Sequence, residues 1–411
     1  MNILYICPDY GIPVLGEKGA SVHVREMSDA FTRAGHSLVI AAPLATKSPW
    51  EQPQYMDAEF IQFPVSENAV EVVRAIKSYT DMLSSAPSLA GEIRRIIYNE
   101  ELEPRLFQRF KNTPPDFIYV RASLYSTIGV ELKKSFNIPL IVEINAPLAM
   151  EQNIYRSSET GELAYAAECR LLLNADAILC VSQALKKYVI SLGINDNLIH
   201  VIPNGVNPHY FNSKNNNLGL KKSLGLRKGP VLGFVGGLRP WHGVDILPSL
   251  LSNIRENYSD VQLLIIGEGP LRSSLEFQFR EKNLENNVIF AGSFPHRDIA
   301  DIIKLFDVAL APYAQTGHDF YFSPLKLFEY MACGVPIVTT RIGQIQEIIK
   351  NNETGLLYEA DNLKELTTHC LNLIENPQQA KLLGVNAAKI VAEKYTWDHN
   401  VKRVLGIVES L

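Results

Sequence analysis

Short, almost wholly apolar runs alternate with longer amphipathic ones along the whole chain, and this alternation leaves few folds open. In the first half the strand candidates are Asn2–Cys7, Ser37–Ala41, Phe117–Val120, Leu140–Glu143, Ala177–Val181 and Ile199–Ile202, with helical patterns such as Ser21–Ala34, Leu124–Ser135 and Ser182–Leu192 between them. The second half repeats the scheme. Val231–Val235, Gln262–Ile266, Val288–Ala291, Val308–Ala311 and Pro336–Thr339 read as strands; Val244–Asn257, Leu271–Lys282, Ile299–Leu305, Leu325–Ala332 and Ile345–Ile349 read as helices. A strand apolar on both faces needs cover on both, and strands separated by helices run parallel. The pattern predicts an α/β protein with two doubly wound, Rossmann-like domains facing each other across a cleft.

Length agrees, since 411 residues exceed what one core fills. The polar, Asn- and Lys-rich stretch Asn212–Gly229 follows the turn signal Pro203-Asn204-Gly205 and predicts the linker. Residues 1–212 then form the first domain and 213–394 the second, with Tyr395–Leu411 as a helix added after the second sheet is complete.

A composition of 46% apolar and 20% charged residues is that of a globular protein, and a net charge of -5 provides no overall basic field for nucleic acid. The five cysteines are odd in number, lack short metal-ligand spacings and read as reduced thiols of a cytoplasmic protein. The opening MNILYICPDYG reads as a first strand, and no apolar run is long enough to span a bilayer. Glu92–Lys111, with Arg94, Arg95, Arg105 and Arg109 among apolar residues, reads as a solvated helix or as a peripheral contact for the inner membrane face or an acidic acceptor.

Ligands of open parallel sheets bind beyond the carboxyl ends of the strands, so residues just after strands are the informative ones. Gly236-Gly237-Leu238-Arg239-Pro240-Trp241-His242-Gly243 follows one strand and precedes a helix. It suits a diphosphate cradle, with Arg239 and His242 as fixed and titratable cations, or a tight turn with a surface Arg. Gly267-Glu268-Gly269-Pro270 is a second glycine-rich strand end, equally a site or a plain turn. In Ser323-Pro324-Leu325-Lys326-Leu327-Phe328-Glu329, Ser323 reads as the N-cap and Pro324 as the first helical residue. Lys326 then opposes the helix dipole, which a bound anion would explain, and Glu329 stands one turn along on the same side, where a carboxylate can accept both hydroxyls of a ribose. An ion pair on a surface helix is the other reading. In the first half, Gly16–His23 joins the first strand to the first helix as a glycine-containing loop, a site or an ordinary loop, and Glu143 at the end of a strand with Asn145 just after it points into the cleft or forms a plain polar strand end.

With these segments in order, the chain resembles the retaining glycosyltransferase family 4, which has the GT-B fold. The resemblance rests on GEKGASVHVREMSDAFTRAGHSLVI, ADAILCVSQALKKYVISLG, VIPNGVN with Phe211, FVGGLRPWHGVDIL, LLIIGEGPLR, VIFAGSF and FSPLKLFEYMACGVPIV. It implies that residues 1–212 bind an acceptor, that 213–394 bind a nucleotide sugar as co-substrate, and that Tyr395–Leu411 cross back to the first domain. By position it puts Glu329 on the ribose, and the expected catalytic group is Glu329 with the nearby cations Arg239 and Lys326. Gly19, Ala20, Gly237, His242, Glu268, Ser323, Pro324 and Leu325 become donor contacts, and Glu143 and Asn145 acceptor-side residues. It also implies retention of anomeric configuration, a UDP-sugar as the first donor to consider, and a glycan, lipid-linked or small-molecule acceptor. No resident cofactor is implied, and without an aspartate-rich motif a metal is not expected to be essential.

The departures from the family pattern are Gly237 in place of an Arg, His242 in place of a Lys, Tyr321 in place of a Glu, and Asn145 in place of a His. Arg239 and Lys326 are candidates to restore the charge. Another GT-B enzyme, such as a sugar phosphorylase or a nucleotide-sugar epimerase, or a non-catalytic nucleotide-sugar-binding protein, is the alternative.

Overall fold

The computed structural model describes residues 1–48, 50–155, 158–211, 218–315 and 317–411. The chain divides into two compact units, Met1–Pro203 with Trp397–Leu411, and Asn204–Thr396. The first part of the expected linker, 212–217, lies outside the described residues; the rest carries a short helix, Leu218–Ser223.

The first unit holds a seven-stranded parallel sheet in the order β3-β2-β1-β4-β5-β6-β7. Its strands are β1 Asn2–Ile6, β2 Ser37–Ala42, β3 Glu59–Gln62, β4 Phe117–Arg121, β5 Leu140–Ile144, β6 Ala177–Cys180 and β7 Ile199–Val201. Every residue of β4, β5 and β6 is buried, as their apolar composition requires. The C-terminal helix Trp397–Glu409 belongs to this unit. Trp397 meets the His23 ring edge-on at 4.9 Å, and Arg33 Nη2 pairs with Asp398 Oδ1 at 2.7 Å.

The second unit holds a six-stranded parallel sheet in the order β10-β9-β8-β11-β12-β13. Its strands are β8 Val231–Val235, β9 Gln262–Ile266, β10 Val288–Gly292, β11 Val308–Ala311, β12 Ile337–Thr340 and β13 Leu356–Tyr358. The strand order reverses between β8 and β11, and their register (Val308 with Leu232, Ala309 with Gly233) brings their carboxyl ends level. Such a switch point opens a crevice for a ligand. Helices Leu247–Arg255 and Leu363–Glu375 supply one apolar layer, and Leu325–Ala332 and Pro377–Lys394 contribute to the other.

The boundary between the units falls at Pro203, upstream of the expected one, because the following turn is tied to the second unit. Asn204 N donates to Ser323 Oγ at 2.9 Å, Asn204 Nδ2 donates to Ser323 O at 2.6 Å, and Val206 N donates to Tyr395 O at 3.0 Å.

Candidate active site

At the carboxyl end of β8 the chain turns through Gly236 at φ +140°, a conformation open chiefly to glycine. The loop proceeds through a 3-10 turn, Pro240–His242, and a second, Val244–Ile246, before the α-helix starts at Leu247. The sequence expectation of a helix from Val244 is corrected here. Gly243 at φ +63° holds the loop against the end of β11, where a Cβ would collide with the Pro312 carbonyl. The Gly267–Pro270 turn packs alongside, with Leu238 N donating to Glu268 O at 3.0 Å. The Glu268 side chain turns away to pair with Arg272 and is half exposed, so its backbone is the part that supports the loop.

The helix Leu325–Ala332 begins after Pro324, which is its N-cap. Ser323 is therefore not the cap, since its hydroxyl and carbonyl are both engaged by Asn204. The first intrahelical bond runs from Leu327 N to Pro324 O at 3.1 Å, which leaves the amides of Leu325 and Lys326 ahead of it, without helical acceptors.

Lys326 is 7% exposed, and its Nζ has no hydrogen-bond partner among the described residues. Nζ lies 4.1 Å from the centroid of the Phe234 ring and 5.2 Å from that of Tyr313, so two aromatic faces replace an anion. Burial pushes its ammonium down to about 7, against the opposing pull of Glu329. The loop after β8 meets it directly: a Cβ on Gly236 would lie 2.6 Å from Nζ.

His242 sits behind the same loop, and its Nδ1 donates to the Gly237 carbonyl at 2.5 Å. Burial, with Lys326 and Arg239 as neighbouring cations, pushes its imidazole down to about 3. The expected titratable cation is thus a neutral ring at pH 7. Arg239 is exposed, with its guanidinium 5.6 Å from the Trp241 ring centroid. A Cβ at Gly237 would lie in ordinary contact with Arg239 and the Glu268 carbonyl, 3.6 and 3.7 Å away.

Glu329 is buried, and its Oε1 accepts from His296 Nε2 at 2.7 Å. His296 lies in the loop after β10, with its ring 5.2 Å from that of Phe211. The sequence reading missed His296, which stands 33 positions before its partner. The family match VIFAGSF stops two residues short of it, and the strand pattern there ends at Ala291. Tyr321, at the position of the family glutamate, is buried and stacked on His318 at 5.1 Å.

In the first unit Glu143 lies next to the end of β5 and is 4% exposed. It accepts from His23 Nε2 at 2.8 Å, Tyr119 OH at 2.5 Å, Arg121 Nη1 at 2.7 Å and Asn145 Nδ2 at 2.5 Å. These donors outweigh the penalty of burial and hold its carboxyl far below the usual range. Glu143 is the hub of a closed network rather than a free carboxylate, while Asn145 is half-buried. Gly19 and Ala20 begin the helix Gly19–Arg33, with Gly19 exposed, and the first intrahelical amide bond there is Val22 N to Lys18 O at 2.9 Å. Buried Arg25 braces the preceding loop by donating to the carbonyls of Val14 and Gly16.

Residues 18–210 match the model of Glycosyltransferase Family 4, and residues 229–376 match that of the Glycosyl transferases group 1. An uncharacterised glycosyltransferase of Methanocaldococcus jannaschii is 29% identical over 288 residues, 69% of this chain and 72% of the relative. A second from the same organism is 23% identical over 420 residues, covering 99% and 97%. Among solved structures, Anabaena HepE in complex with UDP is similar over 100% of both chains, with a TM-score of 0.72 at 18% identity. No helix among the described residues is long and apolar enough to cross a membrane. The two matched models, one on each unit, and two Rossmann-like parallel sheets identify the chain as a member of the family 4 and group 1 glycosyltransferases, with the GT-B fold.

Proposed function

We propose that this enzyme is a retaining glycosyltransferase that moves a sugar from a UDP-linked donor to a hydroxyl of a glycan, lipid-linked or small-molecule acceptor. The observation that carries the reading is Lys326, a buried ammonium at the start of a helix, with no acceptor among the described residues. An unpaired buried charge costs several kcal/mol, and a bound diphosphate would offset that cost. The solved complexes of the Anabaena neighbour with UDP and with UDP-glucose favour uracil as the base.

The second unit is assigned the donor, with the diphosphate beside Lys326 and the ribose beside Glu329. As the bond from the anomeric carbon to the phosphate oxygen breaks, its electron pair stays on that oxygen and the sugar becomes oxocarbenium-like. Lys326, Arg239 and the amides of Leu325 and Lys326 then hold more charge than in the ground state, which is what lowers the barrier. Each such contact is worth about 3–4 kcal/mol in comparable sites. His242 contributes loop geometry, with Gly237, Ser323, Pro324 and Glu268 shaping the backbone around the phosphates. The acceptor hydroxyl attacks on the face the diphosphate leaves and gives its proton to a departing phosphate oxygen, so no separate base is needed. The first unit is assigned the acceptor. Gly19 and Ala20, the expected donor contacts of this unit, supply amides at the start of its first helix, and Glu143 acts by fixing His23 and Asn145.

A thermal-shift panel of UDP-, GDP- and ADP-sugars tests the reading, because a ligand held at 100 times its Kd stabilises the native state by about 2.7 kcal/mol. A rise with a UDP-sugar is expected. No rise with any of the panel would overturn it.

A further inference from the structure

Lys326 and Glu329 lie three residues apart on one helix, both buried, and should attract each other strongly. Yet among the described residues Lys326 Nζ has no acceptor, while Glu329 Oε1 is held by His296. A carboxylate only accepts, so Nε2 of His296 carries the proton in this bond. The ring is itself braced by Phe211, which is fully buried.

We propose that His296 is a positioning residue that keeps Glu329 from closing onto Lys326, so that the ammonium stays open for a phosphate and the carboxylate for a ribose. The function of this separation rests on the donor-site reading above. If the two side chains paired, each would be neutralised by the other, and the nucleotide would have to break that pair in order to bind. His296 holds one oxygen of Glu329 from a different loop and leaves Oε2 for the sugar hydroxyls. The groups around Lys326 are consistent with this. His242 and Arg239 in the loop after β8 provide no acceptor charge, and Tyr313 after β11 is a phenol whose burial keeps it protonated. Among the described residues, Glu329 is the carboxylate whose charge acts on Lys326.

The test begins without nucleotide. In protein carrying 13C-labelled lysine, the ε-carbon signal missing from Lys326→Arg is followed against pH. The wild-type inflection is expected near 7. In His296→Ala it should rise by about one unit or more as Glu329 pairs with Lys326. His296→Gln, whose amide nitrogen reaches the same place, should restore it; His296→Asn, too short to reach, should behave like Ala and replaces it if Ala does not fold. In a parallel titration with UDP, His296→Ala should bind about tenfold more weakly and His296→Gln close to wild type. An unmoved Lys326 inflection in folded His296→Ala and His296→Asn overturns the proposal, whatever happens to UDP affinity. A shifted inflection in a protein whose wild type does not bind UDP would instead retain the separation and remove the donor-site reading.

Discussion

A methyl group on Gly236 would lie 2.6 Å from Nζ of Lys326, so the glycine that ends β8 and the lysine that opens the neighbouring helix share one space. The lysine end is flexible, but the Phe234 and Tyr313 rings limit where it can go. Gly236 also has φ +140°, which an alanine adopts only under strain. Gly236→Ala is expected to lower stability by about 1–3 kcal/mol and to weaken nucleotide binding by displacing the ammonium. Differential scanning fluorimetry and UDP titration check the two effects separately.

Lys326 is a case in which stability and function pull apart. Its pKa is lowered to about 7 in the folded chain, against roughly 10.4 unfolded, so the unfolded chain binds more protons between these values. Burial of the ammonium therefore costs most below pH 7, and the cost fades as pH rises toward 10. Lys326→Met should melt a few degrees higher than wild type at pH 6, with the gap narrowing on alkalinisation, yet bind UDP at least about tenfold more weakly. Wild-type affinity should decline as pH rises above 7, and the variant should lack that decline. Melting curves and UDP titrations between pH 6 and 9 would check both.

Glu329→Gln keeps the size of the side chain and removes the charge that the ribose hydroxyls would meet. The expected result is a folded protein with turnover on its nucleotide sugar lowered at least about tenfold. Full activity in both Glu329→Gln and Lys326→Ala would contradict the site assignment.

Glu143 predicts a pH dependence of the opposite sign. Its carboxyl is depressed by His23, Arg121 and Tyr119, so its contribution is complete above the unfolded value of about 4.3 and is lost as pH falls toward the folded one. Glu143→Gln should cost about 3–5 kcal/mol at pH 7, and its stability difference from wild type should shrink between pH 5 and pH 3. Urea unfolding at those pH values measures it.

Much of this was legible in the sequence, because strand and helix periods are local. β8, β9, β11 and the helix Leu325–Ala332 fall at their expected bounds. β3 was missed because Glu59–Gln62 is polar at both ends and half exposed, and β13 because three residues carry no period. Lys326 was legible as a cation placed against a helix dipole. What the sequence concealed depends on burial and distant pairing. His242 reads as a titratable cation until its enclosure is known. Glu143 reads as a free strand-end carboxylate until residues from two other segments converge on it, Tyr119 and Arg121 of β4 and His23, which is 120 positions away. His296 acquires meaning only beside Glu329.

A crystal structure of the enzyme with UDP tests the central claim most directly. A phosphate oxygen is expected within about 3 Å of Lys326 Nζ, with a ribose hydroxyl on Glu329, whose bond to His296 stays intact. A diphosphate bound elsewhere, with Lys326 still between its two rings and without an acceptor, would contradict it.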